Sequence, residues 1–267
     1  MPHSFSSLWA SPPPDLASRI ERCIDSVRDL VGRGVTEYIF FRADDVAVPG
    51  KQFVRLMELF TRYRVPLSLG AVPAWLTGSR WGRLKGLTGK NPSLSSLWCW
   101  HQHGWRHLNH EVEGKKQEFG GSRSPSQIRE DLLRGRHRLE MHMGEDFYPV
   151  FTAPWNRCSS ITLELLKELG YHAISRSQGS LPPAPEGLPD FQVNVDLHTR
   201  KELDAEEGWD ALFAELKGAL LSSLCGIMIH HRRMNEVAFD FLEVLLQKLS
   251  RHEGLRIVNF RDLGTMP

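Results

Sequence analysis

The chain has 267 residues, 41% hydrophobic and 24% charged, which excludes a mainly disordered or collagen-like protein. Its 33 basic and 32 acidic residues leave a formal charge of +1. That lacks the basic excess of a dedicated nucleic-acid binder, so no nucleic-acid partner is expected. The four cysteines, Cys23, Cys99, Cys158 and Cys225, lie far apart without a CxxC pair, which argues against a disulfide framework or a cysteine zinc site. No apolar run approaches the ~18 residues of a membrane span. Met1–Asp15 lacks a continuous apolar signal core, and a soluble cytoplasmic protein is the expectation.

Residues 1–15, with Pro12, Pro13 and Pro14, read as an irregular arm, and 16–267 as one domain. Ile20, Ile24, Val27 and Leu30 recur at helical spacing and predict a helix over Leu16–Val31. Thr36–Phe41 is rich in β-branched and aromatic residues and reads as a buried strand ending at Asp44-Asp45. Phe53, Leu56, Met57 and Phe60 share one face of a helix after Gly50, and Leu67–Val72 is a strand stopped by Pro73. A third strand is expected at Leu97–His101, followed by a polar, Gly-rich stretch from Gly104 to Pro125. The pattern continues with a helix at Ser126–Met143, strand at Val150–Ala153, helix at Ile161–Leu169 and strand at His172–Ser175. A Pro/Gly-rich loop, Gln178–Asp190, leads into Phe191–Asp196. A helix near Trp209–Leu221, a strand at Gly226–His230, a helix at Val237–Leu249 and a strand at Leu255–Val258 complete the chain. Alternation of this kind implies parallel strands with helical crossovers. Roughly eight strands over this length favour a closed or nearly closed barrel, with an open doubly wound sheet as the alternative.

In such folds the active residues gather where strands end. Asp44 and Asp45 follow the first strand, and His101, His103 and His107 end or follow the third. Pro154-Trp155-Asn156, Asp196 and His230-His231 stand at later strand ends. If a helical turn follows the third strand, His103 and His107 lie at i and i+4 on one face. His110 sits three residues further on and spacing alone does not choose the pair. Two histidines and one carboxylate form a common zinc set with a fourth position left open. Side chains of Asp44 and Asp45 diverge on extended backbone, so one is free to bind a metal while the other serves as base. His230 would act as proton donor to a leaving amine, with Asp196 favouring its charged form. Alternation with Glu130, Asp131 and Glu140 makes Arg134–Arg138 a solvated helix face.

These residues resemble the polysaccharide deacetylase family, the NodB-like carbohydrate esterases, over about residues 35–260. Phe41-Arg42-Ala43-Asp44-Asp45 is similar to that family's first motif, which by resemblance makes Asp44 the base and Asp45 a metal ligand. His103-Gly104-Trp105-Arg106-His107 matches its HxxxH motif and selects His103 and His107 as the other ligands. Gly114-Lys115-Lys116-Gln117-Glu118-Phe119-Gly120 is similar to a subgroup of uncharacterised deacetylase-like proteins. Thr152-Ala153-Pro154-Trp155-Asn156 falls at the family's substrate-groove motif, with Thr152 where an arginine is usual. Met228-Ile229-His230 corresponds to the motif of the catalytic acid, and Asp196 to its partner. The resemblance implies a distorted (β/α) barrel of about seven parallel strands, one divalent ion (zinc first among candidates), and deacetylation of an amino sugar or related amide. Pro154, Trp155, Asn156 and Trp105 would line the substrate, a small molecule or oligosaccharide. A catalytically inactive carbohydrate-binding barrel is the alternative, and oligomeric state is left open.

Overall fold

The computed structural model describes residues 6–28, 38–88 and 92–266. In chain order the helices and strands are α1 (Leu16–Arg28), β1 (Tyr38–Val46), α2 (Lys51–Tyr63), β2 (Leu67–Ala71), α3 (Gly78–Thr88) and β3 (Trp98–His103). There follow α4 (Pro125–Met143), β4 (Phe147–Thr152), α5 (Ser160–Glu168), β5 (Ala173–Ser175) and β6 (Val195–Asp196). The chain closes with α6 (Ala205–Leu220), β7 (Leu224–Ile229), α7 (Glu236–Leu249), β8 (Arg256–Val258) and α8 (Phe260–Leu263). The strand–helix alternation expected from periodicity is present. The last three residues of the predicted first helix, and Thr36 and Glu37 of the predicted strand, lie outside the described residues.

The chain forms two compact units, each assembled from separated segments. The first comprises residues 1–43, 50–67 and 194–259. Within it β1 lies between β7 and β8, and β6 pairs with β7, all in parallel. The register sets Ile39 opposite Cys225 and Phe41 opposite Ile227. Strands β1 and β7, buried along nearly their whole length, require cover on both sides, which is the condition under which parallel sheets form. The amphipathic α2 buries Phe53, Leu56, Met57 and Phe60, the four residues that marked it in the sequence, with Leu59. Each such burial contributes roughly 1.5–3 kcal/mol. The expected arm contains a 3₁₀ turn at Ser7–Ala10, where Leu8 and Trp9 are buried and the Trp9 indole donates to the Leu197 carbonyl at 3.1 Å.

The second unit comprises residues 44–49, 68–193 and 260–267, and its strands run β2-β3-β4-β5. The pairs β3–β4 and β4–β5 are parallel. Helix α4 begins at a capping box in which Ser124 Oγ accepts from the Gln127 N–H while Gln127 Oε1 accepts from the Ser124 N–H. Pro125 at the first helical position costs nothing there, since that N–H has no helical acceptor. Phe119, Ile128, Leu132, Phe151, Leu163 and Ile174 form one apolar cluster beneath the strand ends. Helix α3 has no counterpart among the predicted elements. Its three glycines weaken the helical pattern, and it buries only Leu84 and Thr88. The expected strand at Phe191–Asp196 shrinks to the two residues of β6, with Val193 held by a single bridge to Ser177. Of the expected solvated face, Arg134 pairs with Glu130 and Arg136 with Glu140, whereas half-buried Arg138 donates to the Leu76 carbonyl at 2.7 Å.

Candidate active site

Strand β1 continues beyond its predicted end and carries Asp44 and Asp45 as its seventh and eighth residues. Asp44 is buried and Asp45 half-buried, so the two side chains have different surroundings. The divergence does not come from extended backbone alone: Asp45 has φ 61°. On β3, His103 is the final strand residue.

The His103–His107 pair is not made by a helical turn, contrary to the spacing argument. Gly104 (φ 62°) and His107 (φ 59°) turn the chain sharply in the left-handed region, with no helix between them. The described non-glycine residues with positive φ are Asp45, Arg64, His107, Trp155 and Asn156, and four of these five are candidate site residues. Arg64 is the helix cap of α2. A left-handed non-glycine residue costs roughly 1–2 kcal/mol, and such strain collects where a surrounding structure enforces it for function.

This backbone brings Asp45, His103 and His107 together, each offering one ligand atom within 4.8 Å of the others. Asp45 Oδ1 lies 3.4 Å from His103 Nε2 and 3.3 Å from His107 Nε2. His103 Nδ1 lies 3.1 Å from the Thr152 carbonyl, which has only a lone pair to offer, so Nδ1 is the protonated nitrogen. Nε2 is then the nitrogen that faces Asp45, the orientation a carbonyl acceptor behind the ring gives a metal-ligating histidine. The Thr152 carbonyl also accepts from the Gly104 N–H at 3.2 Å, and its hydroxyl meets His101 Nε2 at 2.8 Å. Thr152, standing where the family's arginine is usual, therefore supports His101, His103 and Gly104.

His107 packs edge-on against Trp155, with centroids 4.4 Å apart, and lies 6.0 Å from Trp75. Burial, followed by the neighbouring His103, lowers its pKa from 6.5 to about 4, although Asp45 and Asp44 pull the other way. The imidazole is thus neutral at pH 7, the form that binds a metal. Two imidazoles and a carboxylate make the His₂Asp donor set suited to zinc or a similar divalent ion. Among the described residues this is the cluster of at least three His, Cys, Asp or Glu side chains with ligand spacing.

Sequence reasoning missed Glu118, which holds the loop of the histidine pair in place. This buried carboxylate accepts from the Arg106 N–H at 2.6 Å and the Trp105 N–H at 3.1 Å. Burial pushes its pKa up, against the pull of those N–H groups. A Cβ on Gly104 would lie 2.2 Å from Glu118 Oε2 and 2.5 Å from Pro154 Cγ, so the glycine is required twice, for its φ and for space. Asn109 Oδ1 accepts from the Gln117 and Glu111 N–H groups, and Glu111 from the Ser122 N–H. The segment beyond the histidines is thus tied to itself as a compact surface loop. One signal for Glu118 was available: an acidic residue directly before Phe119-Gly120, the point at which a polar stretch turns apolar.

The Pro154–Asn156 segment forms a 3₁₀ turn with Pro154 buried and Trp155 and Asn156 half-exposed, both left-handed. Its Asn156 and Arg157 N–H groups are committed to the Ala153 and Pro154 carbonyls, at 2.8 and 3.3 Å. Trp105 packs partly buried against the apolar cluster, and its backbone carbonyl accepts from the Ala74 N–H at 2.9 Å. That placement makes Trp105 a fixture of the loop.

In the first unit, Asp196 and His230 do not form the expected ion pair. Asp196 Oδ1 accepts from the His198 and Thr199 N–H groups at 3.0 and 2.9 Å, and Oδ2 from the Thr199 hydroxyl. This is an Asx-type turn, the habitual use of an aspartate at a strand end. His230 Nδ1 has no hydrogen-bond partner among the described residues. It is His198 that meets His230, its Nδ1 accepting the His230 backbone N–H at 3.1 Å. Burial, then the neighbouring His230 and His231, drives the His198 pKa well below the ordinary histidine value. His231 is buried against Phe53 with centroids 5.4 Å apart.

No family model matches the chain. Potassium-binding subunits of potassium-transporting ATPases from Bordetella pertussis and Bordetella parapertussis are 24% identical to it over 157 residues, 58% of this chain. The chain spans about a quarter of the length of these curated relatives, 25% in each case. No described helix is long and apolar enough to cross a membrane. Among solved structures, a protein assigned as a polysaccharide deacetylase from Mycobacterium smegmatis aligns with a TM-score of 0.60 and 15% identity. The alignment covers 86% of this chain and 90% of that one. A carbohydrate esterase of the CE4 type from Streptococcus mutans aligns with a TM-score of 0.58 and 12% identity, over 88% of this chain and 90% of that one. A CE4 family pseudoenzyme from Bacillus anthracis gives 0.50 and 10% over 86% and 66%. The chain has the NodB-like α/β barrel fold of the CE4 polysaccharide deacetylases that its motifs resemble.

Proposed function

We propose that the protein is a metal-dependent hydrolase that removes an N-acetyl or similar acyl group from an amino sugar or related amide. The observation that carries this reading is the convergence of Asp45, His103 and His107 at ligand spacing. These three residues would hold one divalent ion, most simply zinc. Bound there, it supplies Lewis-acid polarisation of a carbonyl and makes water more acidic, with a pKa near ~7.

The chain's own residues do the rest. Asp44, buried and adjacent to the triad in sequence, takes the proton of the attacking water. The Trp155 N–H takes part in neither hydrogen bond of its turn and is the donor for the developing oxyanion, fixed before reaction by the left-handed backbone. Trp155, Pro154 and Asn156 line the acyl side, and His107 is held neutral for ligation. Proton donation to the leaving nitrogen falls to His230 by resemblance, without Asp196 as its partner.

Asp44→Asn tests the division of roles. Turnover of an N-acetylated sugar should fall by about 10²–10⁴, the worth of a general base, while metal stoichiometry stays at the wild-type value. Equal metal loss in Asp44→Asn and Asp45→Asn would contradict it. The replacement of the groove-motif arginine by Thr152 favours one second reading, a binding barrel that has lost catalysis. Sugar binding by the metal-loaded protein with no hydrolysis of any N-acylated sugar would select that reading.

A further inference from the structure

The second unit contains a cavity of about 390 Å³ lined by Lys115, Trp155, Asn156, Arg157, Ser177 and Ser180. Its size falls within the roughly 300–1,000 Å³ of small-molecule sites, enough for a sugar-sized group. Trp155 is shared with the candidate metal site, its ring against His107. Both basic residues in its lining come without an acid, because the lining holds no Asp or Glu. Two first-unit cavities are instead lined by both signs of charge. A first-unit cavity sets Arg19, Arg22 and Lys217 beside Asp210, with Arg19 paired to it at 3.1 Å. Another sets Lys248 and Arg251 beside Glu21 and Asp25, with Lys248 paired to Glu21 at 2.6 Å. In the second unit Arg123, Arg129, Arg134, Arg136 and Arg176 each hold a carboxylate, whereas neither Lys115 nor half-buried Arg157 does among the described residues.

The backbone brings these two cations together. Phe119 bridges Cys158, and the Ser159 N–H donates to the Phe119 carbonyl at 2.9 Å, which stitches the segment after Arg157 to the loop that carries Lys115. That loop is closed by the His110 N–H on the Gln117 carbonyl at 2.9 Å, with Gly114 turning its tip at φ 80°. An unpaired guanidinium and an ammonium on tied backbone, with two serine hydroxyls nearby, form a receptor for anionic oxygens.

The geometry points to an anion subsite in this groove: Lys115 and Arg157 bind a carboxylate or phosphate carried by the substrate, which makes the substrate an acidic N-acyl sugar or amide. The substrate assignment rests on the hydrolase reading; the anion site itself does not.

The test uses the full chain, stripped of metal with a chelator so that no anion binds through an ion. Inorganic phosphate and glucuronate are titrated by calorimetry into wild type, Lys115→Gln/Arg157→Gln, His103→Ala/His107→Ala, and Arg134→Gln as a charge-removal control. The dissociation constant for at least one anion should rise by at least about tenfold in the Lys115/Arg157 variant, since hydrogen bonds to charged groups are the strong ones. It should stay within about twofold in the other two, and the tighter anion tells carboxylate from phosphate. Thermal melts check folding, and Lys115→Gln alone, at an exposed loop tip, replaces the double variant if that melts early. Binding unchanged by either substitution, binding lost in His103→Ala/His107→Ala, or no binding of either anion to wild type overturns the subsite. Because the His103→Ala/His107→Ala arm needs neither metal nor turnover, failure of the hydrolase reading leaves this result legible.

Discussion

Replacing Glu118 with glutamine tests whether the histidine loop is positioned or merely filled. The carboxylate accepts the Arg106 N–H on one oxygen and the Trp105 N–H on the other, at 2.6 and 3.1 Å. Glutamine keeps one acceptor oxygen and turns an NH₂ group toward the second donor. One charge-assisted bond is lost, worth about 1.5–3 kcal/mol. Part of this is offset, because burial already raises the Glu118 pKa and a neutral amide escapes that penalty. A net loss of about 1–2 kcal/mol of stability is expected, or a Tm lower by roughly 2–8 °C for a chain of this length. Metal affinity responds more strongly. The loop that Glu118 holds sets the left-handed turn at His107, and loss of an outer-shell support typically costs 10–100-fold in metal affinity. Zinc titration against a competing chelator, beside a melt of the metal-free protein, separates the two effects. Zinc affinity within twofold of wild type would refute a positioning role, whatever happens to Tm.

Gly104→Ala should destabilise by about 2–4 kcal/mol, from the left-handed backbone together with overpacking against Glu118 and Pro154; chemical denaturation checks it, and a loss under 0.5 kcal/mol would contradict the close approach. His107 contributes a pH dependence of definite sign in the metal-free protein. With a folded pKa of about 4 against 6.5, the folded chain resists a proton that the unfolded chain takes up, so stability is full above pH 6.5 and falls as pH drops toward 4. The loss should reach about 3 kcal/mol at most, followed by denaturant midpoints across pH 4–7, and its absence in His107→Ala is the control. Removing the Thr152 side chain should spare metal binding, because His103 leans on the Thr152 carbonyl and not its hydroxyl; Thr152→Ala losing zinc more than tenfold would place the support elsewhere.

Much of the fold was legible because periodicity reports burial directly. The α2 face of Phe53, Leu56, Met57 and Phe60 and the apolar run of β7 are cases in which one physical cause sets both pattern and structure. Helix α3 was not legible because glycines dilute its signal and few of its side chains are buried. At the site, the identity of the converging residues could be read and their means of convergence could not. Two histidines four apart suggested a helical turn, whereas a glycine and a left-handed His107 bring them together, held by a glutamate eleven residues downstream of the second. Asp196 illustrates the opposite limit. An aspartate near a histidine in an aligned motif read as its partner, but local N–H groups two and three residues away captured the carboxylate first.

The central claim is that Asp45, His103 and His107 hold a divalent ion. Zinc stoichiometry after reconstitution and exhaustive dialysis, measured by elemental analysis on wild type and on His103→Ala/His107→Ala, tests it most directly. The account predicts about one ion per chain in wild type and none retained in the variant. An ion kept by both, or bound by neither, would contradict it.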